Sequence, residues 1–407
     1  MTDLRRSVLK RLAKRKPFLP GQVSLSRWLV RYLGYEAVQA GAFQNYVTQT
    51  LDPIFPASLS EVAKPKRLYD ERDVIVQPVS AIHPVVLESS RFSPDCAVLR
   101  ISNTALLQPT EFEQRHRFKR ENGRSCALKA HCVMYFRTGP ETYISKAICA
   151  ITTGGVNWYH WLIEVLPSIM LMQNLPAAYD DYPLLVPEEI LAGTTFKDAL
   201  DLYIGTRPVI GLARDAQYRV GEMVVIPPPV SGPFNMHDYQ WPMPEDYVNN
   251  IGVMQQFRMQ TLDRLGVTYD GNGLKRVFLA RPPSTRSYNQ DDILEVARAK
   301  GFEIVRPEKI SFREQVQMMH NADFVAGPTG AACANTVFMR PGTKSLIWAL
   351  KEYDGACFFS NLGHVAGCQT TYLFVEADIP VKSTYEAFRA SYVLSPKVFS
   401  DHLDALL

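Results

Sequence analysis

Between residues 276 and 350 the chain alternates strand and helix in a way that admits few folds. The apolar strand RVFLA (276–280) leads to a helix, DDILEVARAK (291–300). FEIV (302–305) leads to SFREQVQMMHNA (311–322), and DFVAG (323–327) leads through a tight turn to TGAACANTVFMR (329–340). KSLIWAL (344–350) closes the run. This βαβαβαβ order predicts a parallel sheet covered by helices, because each parallel return needs a crossover. Ligands of such sheets sit at the C-terminal ends of the strands. The loops after 280 and 327 are therefore the first places to look for chemistry.

The rest of the chain reads differently. Residues 17–60 suggest short helices and loops. From 73 to 150 the segments DVIVQPV, PVVLES, CAVLRIS, HCVMYF and YISKAICAI are strand-like, with dense β-branched residues and frequent breaks. NWYHWLIEVLPSIMLMQN (157–174) reads as a long buried helix, followed by strands at PLLVPEE, RPVIGL and EMVVIPPPV and a helix at TTFKDALDLYIG. The stretch 226–244, IPPPVSGPFNMHDYQWPMP, is too irregular for an element and long for a loop inside one domain, so it is expected to be functional or to join domains. A helix is expected over 246–265. The 407 residues accommodate two domains. The expected division is a basic N-terminal helical segment (1–60), a first α/β domain (61–245), a second (246–380) and a helical tail (381–407).

Charge is uneven. The chain carries 44 Lys and Arg against 41 Asp and Glu. Seven of the basic residues and one acid lie in the first 16, leaving 37 basic against 40 acidic in the body. The body is no nucleic-acid binder by bulk charge. Leu4, Val8 and Leu12 give the first 16 residues a narrow apolar stripe, a pattern that suits peripheral contact with an anionic membrane or a solvated terminus. No run of 18 uninterrupted apolar residues occurs, and no apolar signal core follows the basic start, so a cytoplasmic placement is expected. Seven cysteines without a CxxC fit a reducing environment. Cys126 and Cys132 flank His131, but the stretch reads as strand and no second pair lies nearby, so no metal site is expected.

Three constellations carry chemistry. Arg281 ends a strand and Arg286 follows five residues on; two guanidiniums there suit phosphate oxygens. Solvated surface arginines are the plainer reading. Asn289 follows, and it or Asp291 suits a helix cap. Thr329, Gly330 and Ala331 leave a helix start bare for an anion, or simply allow close packing of helix on sheet. On a helix, His160 and Glu164 share one face, so the carboxylate can orient the imidazole as a general base; a structural His–Glu contact is the alternative. Asn289 is a secondary candidate, as are His237 and Asp238 in the 226–244 stretch, and His320 reads as structural. There is no GxGxxG, no P-loop, no GxSxG and no DxD, which removes the usual dinucleotide, kinase, hydrolase and metal-bound nucleotide-sugar signatures.

These residues resemble glycosyltransferase family 61 over about 150–350. WYHWLIEVLP (158–167) is similar to the family's YYHWLxExLP-like segment. ARPPSTRSYNQ (280–290) is similar to its arginine segment. FREQVQMMHNADFVAGPTGAACANTVFMRPGT (312–343) is similar to its helix–strand–turn segment. The chain departs from the pattern at Thr329, where many members have His, and at Trp348, near a frequent Glu. The resemblance implies a GT-B-like α/β architecture: two Rossmann-like domains facing across a cleft, with a β-rich N-terminal part. The acceptor would bind 61–245 and a nucleotide sugar, expected to be UDP-linked, would bind 246–380. It implies inverting, metal-independent transfer to an oligosaccharide or lipid-linked glycan in bacterial surface-polysaccharide synthesis. His160 and Glu164 would be catalytic. Arg281, Arg286, Thr329, Gly330, Ala331 and Asn335 would serve the donor, with Asn335 fixing the loop or touching the sugar. No cofactor is expected. A dehydrogenase or epimerase on a similar sheet, and a non-catalytic scaffold, are the alternatives.

Overall fold

The computed structural model describes residues 35–407 except 42, 72, 93–97, 102–103, 108–120, 123–124, 130–131, 137–140, 151–154, 214–215, 233–240, 283–286, 383 and 388. The protein is mixed α/β with two main sheets. The first contains β1 (Val85–Phe92), β2 (Glu141–Cys149), β3 (Leu184–Pro187), β4 (Val209–Leu212) and β5 (Gln217–Val225). These run in the order β4-β3-β2-β5-β1, with β2 to β5 parallel and β1 antiparallel. Shorter strands extend the sheet beyond β1, among them Tyr35–Gly41, where the sequence predicts helix or loop. Cys126 and Cys132 lie in two antiparallel-paired strands of this extension, as expected.

The second sheet contains β6 (Arg276–Leu279), β7 (Glu303–Val305), β8 (Phe324–Pro328), β9 (Lys344–Leu350) and β10 (Gln369–Val375). It is wholly parallel, in the order β7-β6-β8-β9-β10. The expected alternation is present, and β10 adds a fifth strand beyond it. The order reverses between β6 and β8, so the chain leaves the two strands towards opposite sides and a crevice opens at their C-terminal ends.

Helices fill the space between the sheets. α1 is one continuous run of Trp158–His160, Trp161–Val165 and Leu166–Leu171. The others are α2 (Thr194–Ile204), α3 (Ile251–Leu265), α4 (Gln290–Ala299), α5 (Phe312–Asn321), α6 (Phe358–Ala366) and α7 (Pro396–Leu406). Their boundaries are written in side chains. Asn250 caps Val253 N–H, Gly266 closes α3 in the left-handed region, and Ser311 and Glu314 form a reciprocal capping box on α5. Strand alternation splits the second sheet cleanly. Val277, Leu279, Val325 and Ile347 face one buried cluster with α1, α3 and α5, whereas Phe278, Ala280, Phe324 and Trp348 face another with α4 and α7. The first sheet adds Val86, Ile148, Val186 and Val224 to the same cluster as Val277. One apolar layer therefore runs from sheet to sheet through the helices.

A bend organises the first sheet. Pairing skips Ser89, Gly221 and Ser145, which lie side by side across β1, β5 and β2, and Ser89 has φ 51°. The bend has a topological cause. In a flat sheet the register would place Leu212 and Gln217 about 30 Å apart. The five peptide steps between them span at most about 18 Å. Curling the lower halves of β2 and β5 over the face of Leu185 and Leu212 closes that gap and buries Tyr218 and Val220 against them. Gly221 permits the curl, because a Cβ there would lie 2.6 Å from Ser145 O. Gly221→Ala is expected to lower stability by about 1–3 kcal/mol, read as a drop in urea midpoint at unchanged slope. An unchanged midpoint would show that the bend does not depend on this glycine.

Candidate active site

Both ends of the candidate site are set by strand termini. α1 begins after β2, with Asn157 as its cap: the Asn157 side chain accepts from Tyr159 N–H at 3.0 Å. Pro167 sets the shape of the turn around it. It has no N–H, and in an α-helix its ring would strike the Ile163 carbonyl. The turn Trp161–Val165 is accordingly π-helical, with Leu166 N–H donating to Trp161 O. Ser168 Oγ donates to Glu164 O at 3.0 Å, satisfying a carbonyl that the wider turn displaces.

On this turn His160 Nδ1 lies 2.8 Å from Glu164 Oε1, with both side chains about nine-tenths buried. The expected i, i+4 pair is formed. Tyr159 packs edge-on to the imidazole, and burial together with the nearby Glu164 charge pushes its hydroxyl well above its usual range. Tyr159 is thus a neutral wall beside the pair and not a competing base.

At the second sheet, Arg281 follows β6 and Thr329 follows β8, the two strands that flank the order reversal. The Arg281 guanidinium donates to the Thr329 carbonyl, and Gly330 leaves room beside it. Arg281 is anchored through its backbone: its N–H donates to Gln290 Oε1 at 2.9 Å and its carbonyl accepts from Gln290 Nε2 at 3.0 Å. Thr329 N–H donates to Trp348 O at 2.9 Å. The segment expected as a helix over 329–340 is a 3₁₀ helix, Ala331–Phe338, entered from Gly330 in extended backbone. Cys333 N–H already returns to Gly330 O, so the N–H groups of Gly330, Ala331 and Ala332 form the half-buried start of the helix.

Several residues stand elsewhere than a ligand contact requires. Asn335 is fully buried; it accepts from Trp158 Nε1 at 3.3 Å and donates to Gln315 Oε1 at 2.8 Å. These two bonds tie the 3₁₀ helix to α1 and α5. Asn289 does not cap α4: its amide donates to Asp292 and to Leu394 O, and it accepts from Leu394 N–H. It holds the C-terminal segment. Trp348 is core, with its indole N–H on Tyr392 Oη at 3.0 Å. His320 is structural as expected, with Nδ1–H on Phe338 O at 3.1 Å. Arg286, His237 and Asp238 lie outside the described residues.

Sequence reasoning missed Gln290 and Gln315. Gln290 is the last residue of the arginine segment and Gln315 lies in FREQV, so both were inside recognised motifs. Nothing local marks them, because their partners are nine and twenty residues away. The bond from Trp158 to Asn335 carries the start of α1 onto the 3₁₀ helix, so the His160 end of one sheet and the Arg281 end of the other share one buried polar link. Among the described residues no three His, Cys, Asp or Glu side chains gather closely enough to hold a metal ion.

No curated protein matches the chain. The family model described as Glycosyltransferase 61 matches residues 158–346, from the first residue of α1 into β9, and so takes in the His160–Glu164 pair, Arg281 and the Thr329 turn. Over this segment the chain is similar to glycosyltransferase family 61.

Proposed function

We propose that this chain is an inverting, metal-independent glycosyltransferase. It moves a sugar from a UDP-linked donor to a hydroxyl of an oligosaccharide or lipid-linked glycan. The observation that carries the reading is the meeting of Arg281 with the Thr329–Gly330 turn at the strand-order reversal, inside the family segment. A guanidinium and backbone N–H groups converging at such a crevice suit a diphosphate.

In this reading His160 is the base. Glu164 holds Nδ1, so proton transfer falls to Nε2. The imidazole takes the acceptor proton while the acceptor oxygen attacks the anomeric carbon from the face opposite the diphosphate. The bond from carbon to diphosphate oxygen breaks, and configuration inverts. The charge that develops on the leaving group meets Arg281, Arg286 and the N–H groups of Gly330 and Ala331. The two sheets then act as halves of a GT-B-like pair, with the acceptor on the first and the donor on the second. Synthesis of a bacterial capsule, exopolysaccharide or lipopolysaccharide at the cytoplasmic face is the setting this chemistry fits. The basic segment 1–16 serves there as a peripheral tether.

Three measurements test this. One of the UDP-, GDP-, CMP- and dTDP-sugars should raise the melting temperature, since a ligand at 100 times its Kd adds about 2.7 kcal/mol. UDP-linked sugars are expected to do so, with EDTA making no difference. A shift abolished by EDTA would contradict metal independence, and no shift with any donor would overturn the donor reading. His160→Ala should retain the donor shift and lose about 10²–10⁴-fold in turnover; undiminished turnover in the folded variant would move the base to Glu164 or Asp238. Vesicles with anionic lipid should retain the full chain at low salt and release it at high salt, each Lys or Arg near the surface contributing about 1 kcal/mol. Equal binding of a chain lacking residues 1–16 would remove the tether.

A further inference from the structure

A cavity of about 440 Å³ lies at the end of the first sheet where β5 runs out into Pro227, Pro228 and Pro229. Its volume falls in the range of small-molecule sites, about 300–1,000 Å³. Its position ties it to the candidate chemistry. Ser231 forms part of its wall, and the strand Val230–Ser231 packs against the π-helical turn that carries Glu164. The cavity therefore opens at the C-terminal edge of the first sheet, beside the helix that presents His160.

Its lining is chemically distinct from the Arg281 crevice. The polar side chains on its wall are Gln44, Thr50, Ser80, His83, Ser231 and Asn250, and no Lys, Arg, Asp or Glu is among the described lining residues. The remaining wall is aliphatic and proline. Such a surface has amide and hydroxyl donors and acceptors for an uncharged, hydroxyl-rich ligand and nothing to neutralise a phosphate. His83 lines the cavity with one ring nitrogen already engaged. Its Nδ1 lies 3.0 Å from Leu51 O; a carbonyl only accepts, so Nδ1 donates there and Nε2 is the ring nitrogen left to bond a ligand hydroxyl. Most of the wall comes from residues 44–85, outside the segment 158–346 shared with the family.

We propose that this cavity binds an uncharged sugar of the acceptor, with His83 as a specificity-determining residue, so that the choice of acceptor is made by a part of the chain that the family segment does not contain. The assignment rests on the transferase reading for the word acceptor, but the sugar site stands on the cavity itself. The test is ligand-observed NMR on the full chain with a panel of neutral probes: glucose, galactose, mannose, N-acetylglucosamine, xylose and their β-linked disaccharides. In parallel, UDP binding is measured by thermal shift. At least one sugar is expected to bind. His83→Ala should weaken it roughly tenfold, the value of one lost hydrogen bond at the strong end of the usual range. Ser80→Trp, which places a bulky ring at an exposed point of the rim, should abolish it. Both variants should keep the UDP shift of the wild type. Absence of binding by every sugar, or binding untouched by both variants, overturns the site. Sugar binding that the variants remove in a protein that binds none of the UDP-, GDP-, CMP- and dTDP-sugars upholds the sugar site and overturns only the transferase reading.

Discussion

The structure depends on one apolar layer that both sheets share. Val86, Ile148 and Val224 from the first sheet and Val277, Val325 and Ile347 from the second are buried in the same cluster, with Trp161, Phe257, Phe312 and Phe338 between them. Burying a side chain of this size is worth about 1.5–3 kcal/mol, so many such residues packed in one layer resist separation of the sheets. The layer makes α1 a common element of both halves. It leaves the beginning of that helix at the edge of the layer, where the strand ends of both sheets emerge.

Within that apolar setting, a short polar chain sets the registration. Trp158 donates to Asn335, Asn335 donates to Gln315, and Gln315 donates to the carbonyls of Pro307 and Ile310. Breaking any member would leave a buried polar group unpaired at a cost of about 1–3 kcal/mol. The chain fixes the base-bearing helix against the turn that follows β8. Gln290 does the corresponding work for Arg281 by clamping its backbone on both sides. The side chains offered to a ligand are few: Gln290 holds Arg281 and the Glu164 carboxylate holds His160.

Two features of the first half are consequences of closure. The bend through Ser89, Gly221 and Ser145 exists because β4 and β5 are parallel, far apart in the sheet and only five residues apart in the chain. The π-helical turn exists because Pro167 cannot follow an α-helical Ile163 carbonyl. The π turn carries Glu164 itself. The hairpin Ser58–Ala63 with Val74–Val79 adds a further tie: Ala63 N–H donates to Asn361 on α6, and His364 on α6 pairs with Glu61 at 2.5 Å. Residues before 80 are thus fastened to the second half of the chain, across the boundary drawn at 245.

By itself the sequence determined what depends on near neighbours. Hydrophobic period and breaker residues act over a dozen positions, so the strand–helix alternation of 276–350, the parallel sheet, α1 and the facing of His160 and Glu164 were all legible. So were the family motifs that place Arg281 and Thr329 at strand ends. Only the tertiary structure decided what depends on distant partners. Asn335 looks like a ligand residue in its motif until Trp158, 177 residues away, occupies it. Asn289 looks like a cap until Leu394 engages it. Tyr35–Gly41 lacks any local mark of a strand and becomes one by pairing with Cys132–Phe136. The cavity around His83 joins segments 44–50, 79–85 and 227–250, whose meeting no local pattern encodes. The physical reason is common to all of these: a side chain's role is set by the groups that satisfy it, and those are chosen by packing.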